Sequence, residues 1–199
     1  QSGKARPRMT SSLSLGEMIQ VGLTSLMIVM ALFILFQEKK AKTPPAPTMP
    51  WVRKTIIALL TRYVPTDSTV QMVDLGCGWG GMTVSLAKTY KNATIHGYEI
   101  TTFPYLVSKI ASLFFWRRVK IHNSDMYKAD LSQFQVLYCY LPTFILTDLL
   151  PQFASLRPGT VIVTSGWAIP GYTPTEVISE SLFGIKMPIH VYVIGANPL

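Results

Sequence analysis

The sequence predicts an α/β fold: a Rossmann-like seven-stranded sheet with an antiparallel last strand, preceded by one N-terminal transmembrane helix. Three observations predict it. Seven short apolar runs rich in β-branched and aromatic residues are spaced along residues 70–194, and helical-length segments separate most of the first five. A glycine-rich turn, GCGWGG at 76–81, directly follows the first of these runs. The stretch Met18–Phe36, MIQVGLTSLMIVMALFILF, carries no charge, and as a helix it would rise roughly 30 Å, the thickness of a bilayer's hydrocarbon core.

The apolar stretch comes first in the chain. Its polar side chains are Gln20, Thr24 and Ser25; the two hydroxyls can return to a carbonyl one turn back, so they need not oppose insertion. A cleaved signal peptide is the rival reading, but no small-x-small site follows the run, which closes instead on Gln37, Glu38, Lys39 and Lys40. The sequence therefore predicts a retained anchor over 13–37, after a tail of 1–12 in which QSGKARPR reads as an appended remnant. A proline-rich linker of 38–50 follows, in which AKTPPAPTMP favours an extended, semi-rigid spacer. The remaining domain is assigned to 51–199.

Of 199 residues, 18 are Lys or Arg and 10 are Asp or Glu, a net charge of +8. Lys4, Arg6, Arg8, Lys39, Lys40 and Lys42 flank the apolar stretch as basic headgroup contacts would, so the charge balance does not call for nucleic acid. The two cysteines, Cys77 and Cys139, have no CxxC spacing and no histidine pattern beside them, which indicates neither a disulfide framework nor a metal site.

Within the domain, Trp51–Tyr63 carries a helical stripe of Val52, Ile56, Leu59 and Leu60. Val70–Leu75 reads as a buried strand, Met82–Tyr90 as the helix opened by the glycine turn, and Ala93–Tyr98 as a second strand ending at Glu99. Phe103–Trp116 has helical length; Val119–His122 and Val136–Tyr140 read as strands. One helix is expected over Thr143–Leu156, capped by Thr143 and stopped by Arg157, Pro158 and Gly159 before a strand at Thr160–Thr164. This alternation implies a parallel sheet between helices. Glu176–Leu182 and Ile189–Ile194 then break it, as two strands joined by a turn near Gly184 and suited to an antiparallel edge.

The loop VDLGCGWGG holds Asp74, Gly76, Cys77, Gly78 and Gly80, an acidic-x-G-x-G-x-G pattern at a strand end. Glycines there let the backbone approach a ligand closely. Gly76, Gly78 and Gly81 also satisfy G-x-G-x-x-G, so NAD competes as the ligand. Asp74 decides against it: a carboxylate beside the loop repels a pyrophosphate and attracts the cationic amino acid end of S-adenosyl-L-methionine. Glu99 is placed to pair with two ribose hydroxyls, Asp125 to accept from an adenine amino group, and Met126 to add an amide or apolar contact. Singly, each residue has a bland reading, as turn former, helix cap or solvated loop residue.

At this point the chain resembles class I S-adenosylmethionine-dependent methyltransferases. PTMP at 47–50, VDLGCGWGG at 73–81, GYEI at 97–100, SDMYKADLSQFQVLYCYLP at 124–142, LRPGTVIVT at 156–164 and IPGYTP at 169–174 resemble the membrane-anchored lysine methyltransferases of the ATP synthase c-subunit and adenine nucleotide translocase branch. Two departures stand out: Trp79 where the branch commonly has an acid, and TTFPYL after GYEI in place of an Asn-Pro continuation.

The resemblance places the methyl acceptor beyond the fourth strand, at YCYLP. Tyr140 and Pro142 are the candidate catalytic residues there, lining a channel for a lysine; the competing reading makes Tyr138 and Tyr140 plain sheet residues. The Asn/Asp-Pro-Pro-aromatic motif of nucleic-acid amino methyltransferases is absent, and no nucleic acid is expected as a partner. Cys139, inside an apolar strand, reads as core rather than nucleophile. Trp167 and Pro170 are candidates to close over the substrate. The expected function is protein-lysine N-methylation at a membrane, with the domain on the cytoplasmic or organelle matrix side where the cofactor is supplied. Methylation of a lipid or other small apolar molecule, and a non-catalytic cofactor-binding scaffold, are the alternatives.

Overall fold

The computed structural model describes residues 14–38, 46–182 and 185–196. The first eight residues, the flanking cations Lys4, Arg6, Arg8, Lys39, Lys40 and Lys42, and the turn near Gly184 lie outside the described residues.

Helix α1 spans Leu15–Glu38. A reciprocal capping box opens it: the Ser14 amide donates to the Glu17 carboxylate at 2.8 Å, and the Glu17 amide donates to Ser14 Oγ at 3.3 Å. Thr24 returns its hydroxyl to the Gln20 carbonyl at 2.8 Å, as the sequence led us to expect. Its window Leu15–Leu32 has mean hydropathy 1.7 and is wholly exposed, so α1 is long and apolar enough to cross a membrane.

The remaining elements are α2 (Pro50–Leu60), β1 (Gln71–Leu75), α3 (Gly81–Thr89), β2 (Thr94–Glu99), α4 (Thr102–Ala111), β3 (Val119–Asn123), β4 (Val136–Cys139), α5 (Thr143–Asp148), α6 (Leu150–Ala154), β5 (Val161–Ser165), β6 (Glu176–Leu182) and β7 (Ile185–Val193). Among the described residues the seven strands form one sheet in the order β3-β2-β1-β4-β5-β7-β6. β1 to β5 are parallel neighbours, and β7 runs antiparallel to both β5 and β6.

Strand alternation divides the core into two layers. Met72, Ile95, Val136 and Val161 pack with Val52, Ile56, Leu59 and Leu60 of α2 and Met82, Leu86 and Ala87 of α3. Val73, Leu75, Leu137 and Ile162 pack on the other face with Ile145, Leu146 and Leu149 of the α5 region and Phe153 of α6. The order places β1 and β4 side by side at the point where the chain reverses its direction of travel across the sheet. Open α/β sheets bind ligands outside the carboxyl ends of the strands there.

Two expected helices differ from the reading. Thr143–Leu156 is not one helix: α5 ends at Asp148 and α6 begins at Leu150, because Pro151 has no amide hydrogen to continue the ladder. Its N-cap is Pro142, extended at φ −66° and ψ 158°, and Thr143 is the first helical residue. Phe103–Trp116 is α4 followed by a 3-10 turn at Leu113–Phe115. Ser112, between them, sends its hydroxyl back to the Lys109 carbonyl at 3.0 Å.

Candidate active site

The loop after β1 lies between β1 and α3, with Gly76, Gly78 and Gly80 at φ of 71°, 51° and 79°. Gly80 is the residue before α3, and a Cβ there would sit 2.9 Å from Ser108 Cβ of α4. A side chain at Gly80 would therefore be both strained and obstructed. Gly81 admits a different neighbour, since a Cβ would lie 1.9 Å from Arg53 Nη1 of α2.

Asp74 is buried at the carboxyl end of β1 on the α3 side, and its Oδ2 accepts the Thr83 hydroxyl at 2.6 Å. Burial pushes its carboxyl up to about 7; hydrogen bonds from Thr83 oppose the rise and the nearby Glu99 charge adds to it. Glu99 ends β2 on the same side. Its Oε2 accepts the Gly78 amide at 2.9 Å, and its Oε1 accepts the amide and hydroxyl of Thr101. Glu99 thus holds the glycine loop in shape, and a carboxylate with about four lone-pair sites has capacity left for hydroxyl donors.

A solvent-open cleft lies over this loop. Asp74, Gly76, Cys77, Gly78 and Tyr140 line it together, joined by Thr48, Arg53, Trp79 and Tyr138. Gly80 and Glu99 are not among the lining residues, although Glu99 is bonded to Gly78, which is. Asp125 follows β3, where its Oδ1 accepts the Tyr127 amide at 3.0 Å and caps the turn Met126–Lys128. Pro142 stands at the head of α5, outside the lining residues. Burial raises both cysteine thiols well above their ordinary range, so neither Cys77 nor Cys139 presents a thiolate.

Thr48, Arg53 and Thr83 were not singled out from the sequence, and Tyr138 was weighed there only as a plain sheet residue. Tyr138, on β4, is buried, and its hydroxyl bridges Thr48 Oγ1 at 2.9 Å and Ser165 Oγ at 2.7 Å. This bond docks the segment before α2 onto the cleft wall. Arg53 places a guanidinium on the cleft that also holds the Asp74 carboxyl. Thr83 belongs to α3, one turn into the helix. Only PTMP hinted at Thr48; a lone threonine or arginine on a helix carries no sequence signal of what it faces. Beyond β4, Tyr140 lies against Trp167 with ring centroids 5.8 Å apart, which brings the loop after β5 to the acceptor side of the cleft.

The arrangement suits an α-amino acid attached to a nucleoside. Arg53 and Asp74 offer opposite charges to its carboxylate and ammonium, and Gly76, Gly78 and Gly81 line the same cleft with backbone. Among the described residues no cluster of three metal-ligating side chains is present.

A family model described as the ANTKMT methyltransferase domain matches residues 74–176, just over half of the chain. The chain is 28% identical over 158 residues to a protein-lysine N-methyltransferase of Saccharolobus islandicus (strain REY15A), covering 77% of this chain and 97% of that protein. An RNA methyltransferase from Salinibacter ruber, solved with S-adenosyl-L-homocysteine, superposes with a TM-score of 0.65 at 23% identity, over 77% of this chain and 97% of that one. Magnesium protoporphyrin IX methyltransferase from Synechocystis PCC 6803, solved with bound S-adenosylmethionine, gives 0.58 at 14% identity, over 72% and 78%. The two structures share the fold.

Proposed function

The chain belongs to the ANTKMT methyltransferase family and is an S-adenosylmethionine-dependent methyltransferase; from that premise we propose that it methylates the side-chain amine of a lysine in a protein at a membrane surface. The observation that carries the reading is the cleft. The glycine loop and Asp74 line it together with Tyr138, Asp74's register partner on β4, with Tyr140 and with the segment Ala46–Thr48. The Saccharolobus relative, named for lysine, spans nearly its whole length on this chain, and the apolar α1 accounts for the membrane.

Bound in the cleft, S-adenosylmethionine supplies an electrophilic methyl on a sulfonium. The residues of the chain bind and orient. Asp74 would hold the ammonium and Arg53 the carboxylate; Glu99 would hold the ribose hydroxyls while keeping Gly78 in place; Gly76, Cys77, Gly78 and Gly80 would form the backbone approach. Asp125 and Met126 would close the adenine side. No strong base is needed, because an amine that has shed its proton to water is already a nucleophile and the chief task is alignment. Tyr140 Oη would accept a hydrogen bond from that amine, with Pro142 shaping the approach, and Trp167, which lies against Tyr140, would exclude water. The methyltransferase domain faces the compartment that supplies the cofactor, cytoplasm or organelle matrix.

The test is transfer from methyl-tritiated S-adenosylmethionine into whole membranes, followed by fractionation. Label recovered as methyl-lysine in a membrane protein is expected. Label confined to the lipid extract, or to RNA, overturns the lysine reading while leaving the enzyme class intact.

A further inference from the structure

The outward side of α4 and the turn after it is apolar, although none of the described residues covers it. Pro104 and Ser108 face inward, Ser108 against the glycine loop. Leu106, Ile110 and Leu113, at helical spacing, are exposed. Beyond them Phe114 is 95% exposed and Trp116 68%. A contiguous patch of this kind marks a contact surface.

Its charge identifies the partner. Residues 100–124 contain Lys109, Arg117, Arg118 and Lys120 and no Asp or Glu. Arg118 is turned inward, donating to the carbonyls of Tyr90 and Ala87 at 2.8 and 3.1 Å. Lys109, Arg117 and Lys120 are exposed, and the Arg117 guanidinium lies 5.2 Å from the centre of the Trp116 ring. Aliphatic side chains, a tryptophan and a phenylalanine rimmed by cations and free of acids are the composition of a surface that enters the headgroup region of an anionic bilayer. The chain also brings such a surface close. Between Glu38 at the end of α1 and Ala46 at the cleft lie only residues 39–45, which reach at most about 28 Å when fully extended. A domain held that near a bilayer meets it at high effective concentration.

We infer that the face formed by Leu106, Ile110, Leu113, Phe114 and Trp116 is a second membrane contact, which lays the catalytic domain on an anionic lipid surface. The inference rests on reading α1 as a membrane span. With two points of attachment the cleft is held in a defined attitude to the bilayer, which selects lysines at a limited height above it.

The test uses the full chain with Phe114→Cys, labelled with an environment-sensitive fluorophore and reconstituted in vesicles of phosphatidylcholine and phosphatidylglycerol. Cys77 and Cys139 are buried, which keeps the label selective. Gln133→Cys, exposed beside the opposite layer, is the reference. Spin-labelled lipid is expected to quench residue 114 about twofold or more beyond residue 133, with iodide in the water quenching it less. Equal iodide quenching at both positions would show a patch facing water and overturn the inference. Shielding of residue 114 from both quenchers would overturn it too, by showing a protein partner in place of lipid. An alkaline carbonate wash of the same vesicles reports on α1 separately: release of the chain refutes the span, retention supports it, and the quenching result decides the patch in either case.

Discussion

Trp79 of the glycine loop meets Phe103 of α4 edge to face, with ring centroids 5.7 Å apart and planes at 85°. These two residues are the departures from the branch pattern, one where an acid is usual and one in the segment after GYEI. The two positions touch, so the glycine loop carries an aromatic contact from the neighbouring helix there. An edge-to-face pair contributes about 0.5–1.5 kcal/mol beyond its buried area. Trp79→Ala is therefore expected to weaken S-adenosylmethionine binding several-fold by calorimetric titration. Phe103→Ala should add little once Trp79 is gone, and full additivity in that double-mutant cycle would show the pair to be energetically unconnected.

Asp74 gives cofactor binding a pH dependence. Its carboxyl in the folded chain titrates at about 7, whereas the ammonium it receives favours the ionised form. Affinity should fall about tenfold for each pH unit below that value, with proton release on binding near neutrality. Asp74→Asn should bind more weakly and lose this slope. The sign for stability is the opposite one. A raised carboxyl in the folded state contributes stability that is present below pH 4 and is lost as pH rises through about 7, so Asp74→Asn should raise Tm at pH 8 and leave it nearly unchanged at pH 4.

The histidines of β2 and β3 oppose that trend. His96 Nδ1 lies 3.1 Å from His122 Nε2, an approach that requires one ring to donate and the other to accept. Burial holds His96 down to about 4, with the His122 and Lys120 charges adding to the shift, and His122 is lowered as well. Stability from this pair is complete above about pH 6.5 and is lost as pH falls toward 4. Urea midpoints measured across that window should decline, and His96→Gln should flatten the decline.

Tyr138→Phe removes the hydroxyl that joins Thr48 to Ser165. The expected cost is about 1–2 kcal/mol of stability. Amide hydrogen exchange should quicken at Thr48 and neighbouring positions while the β1 amides stay protected. Unchanged exchange at Thr48 would show that the segment before α2 is held by packing alone.

Gly80→Ala meets two obstacles, the left-handed φ of 79° and the Ser108 side chain 2.9 Å from the new Cβ. A loss of roughly 2–3 kcal/mol is expected from chemical denaturation, with cofactor binding lost or greatly weakened because the loop cannot keep its shape.

The sequence by itself determined the strand order of travel, the glycine loop, the acids at the ends of the first two strands and the apolar N-terminal helix. Each of these is written in a local pattern: alternation along a strand, glycine where φ is positive, uninterrupted apolar length. The break between α5 and α6 was also written there, in Pro151, beneath an apolar periodicity that runs through it. Tertiary structure alone decided the rest. It seated β7 between β5 and β6, brought Arg53 and Asp74 to one cleft, closed Tyr138 onto Thr48 across 90 residues of chain, and turned Ser108 inward so that Leu106, Ile110 and Phe114 face out. Those relationships join elements that are distant in sequence, and they arise from how faces pack around the sheet. A side chain's partners across such a packing are a property of the assembled core, and no local pattern of residues carries them.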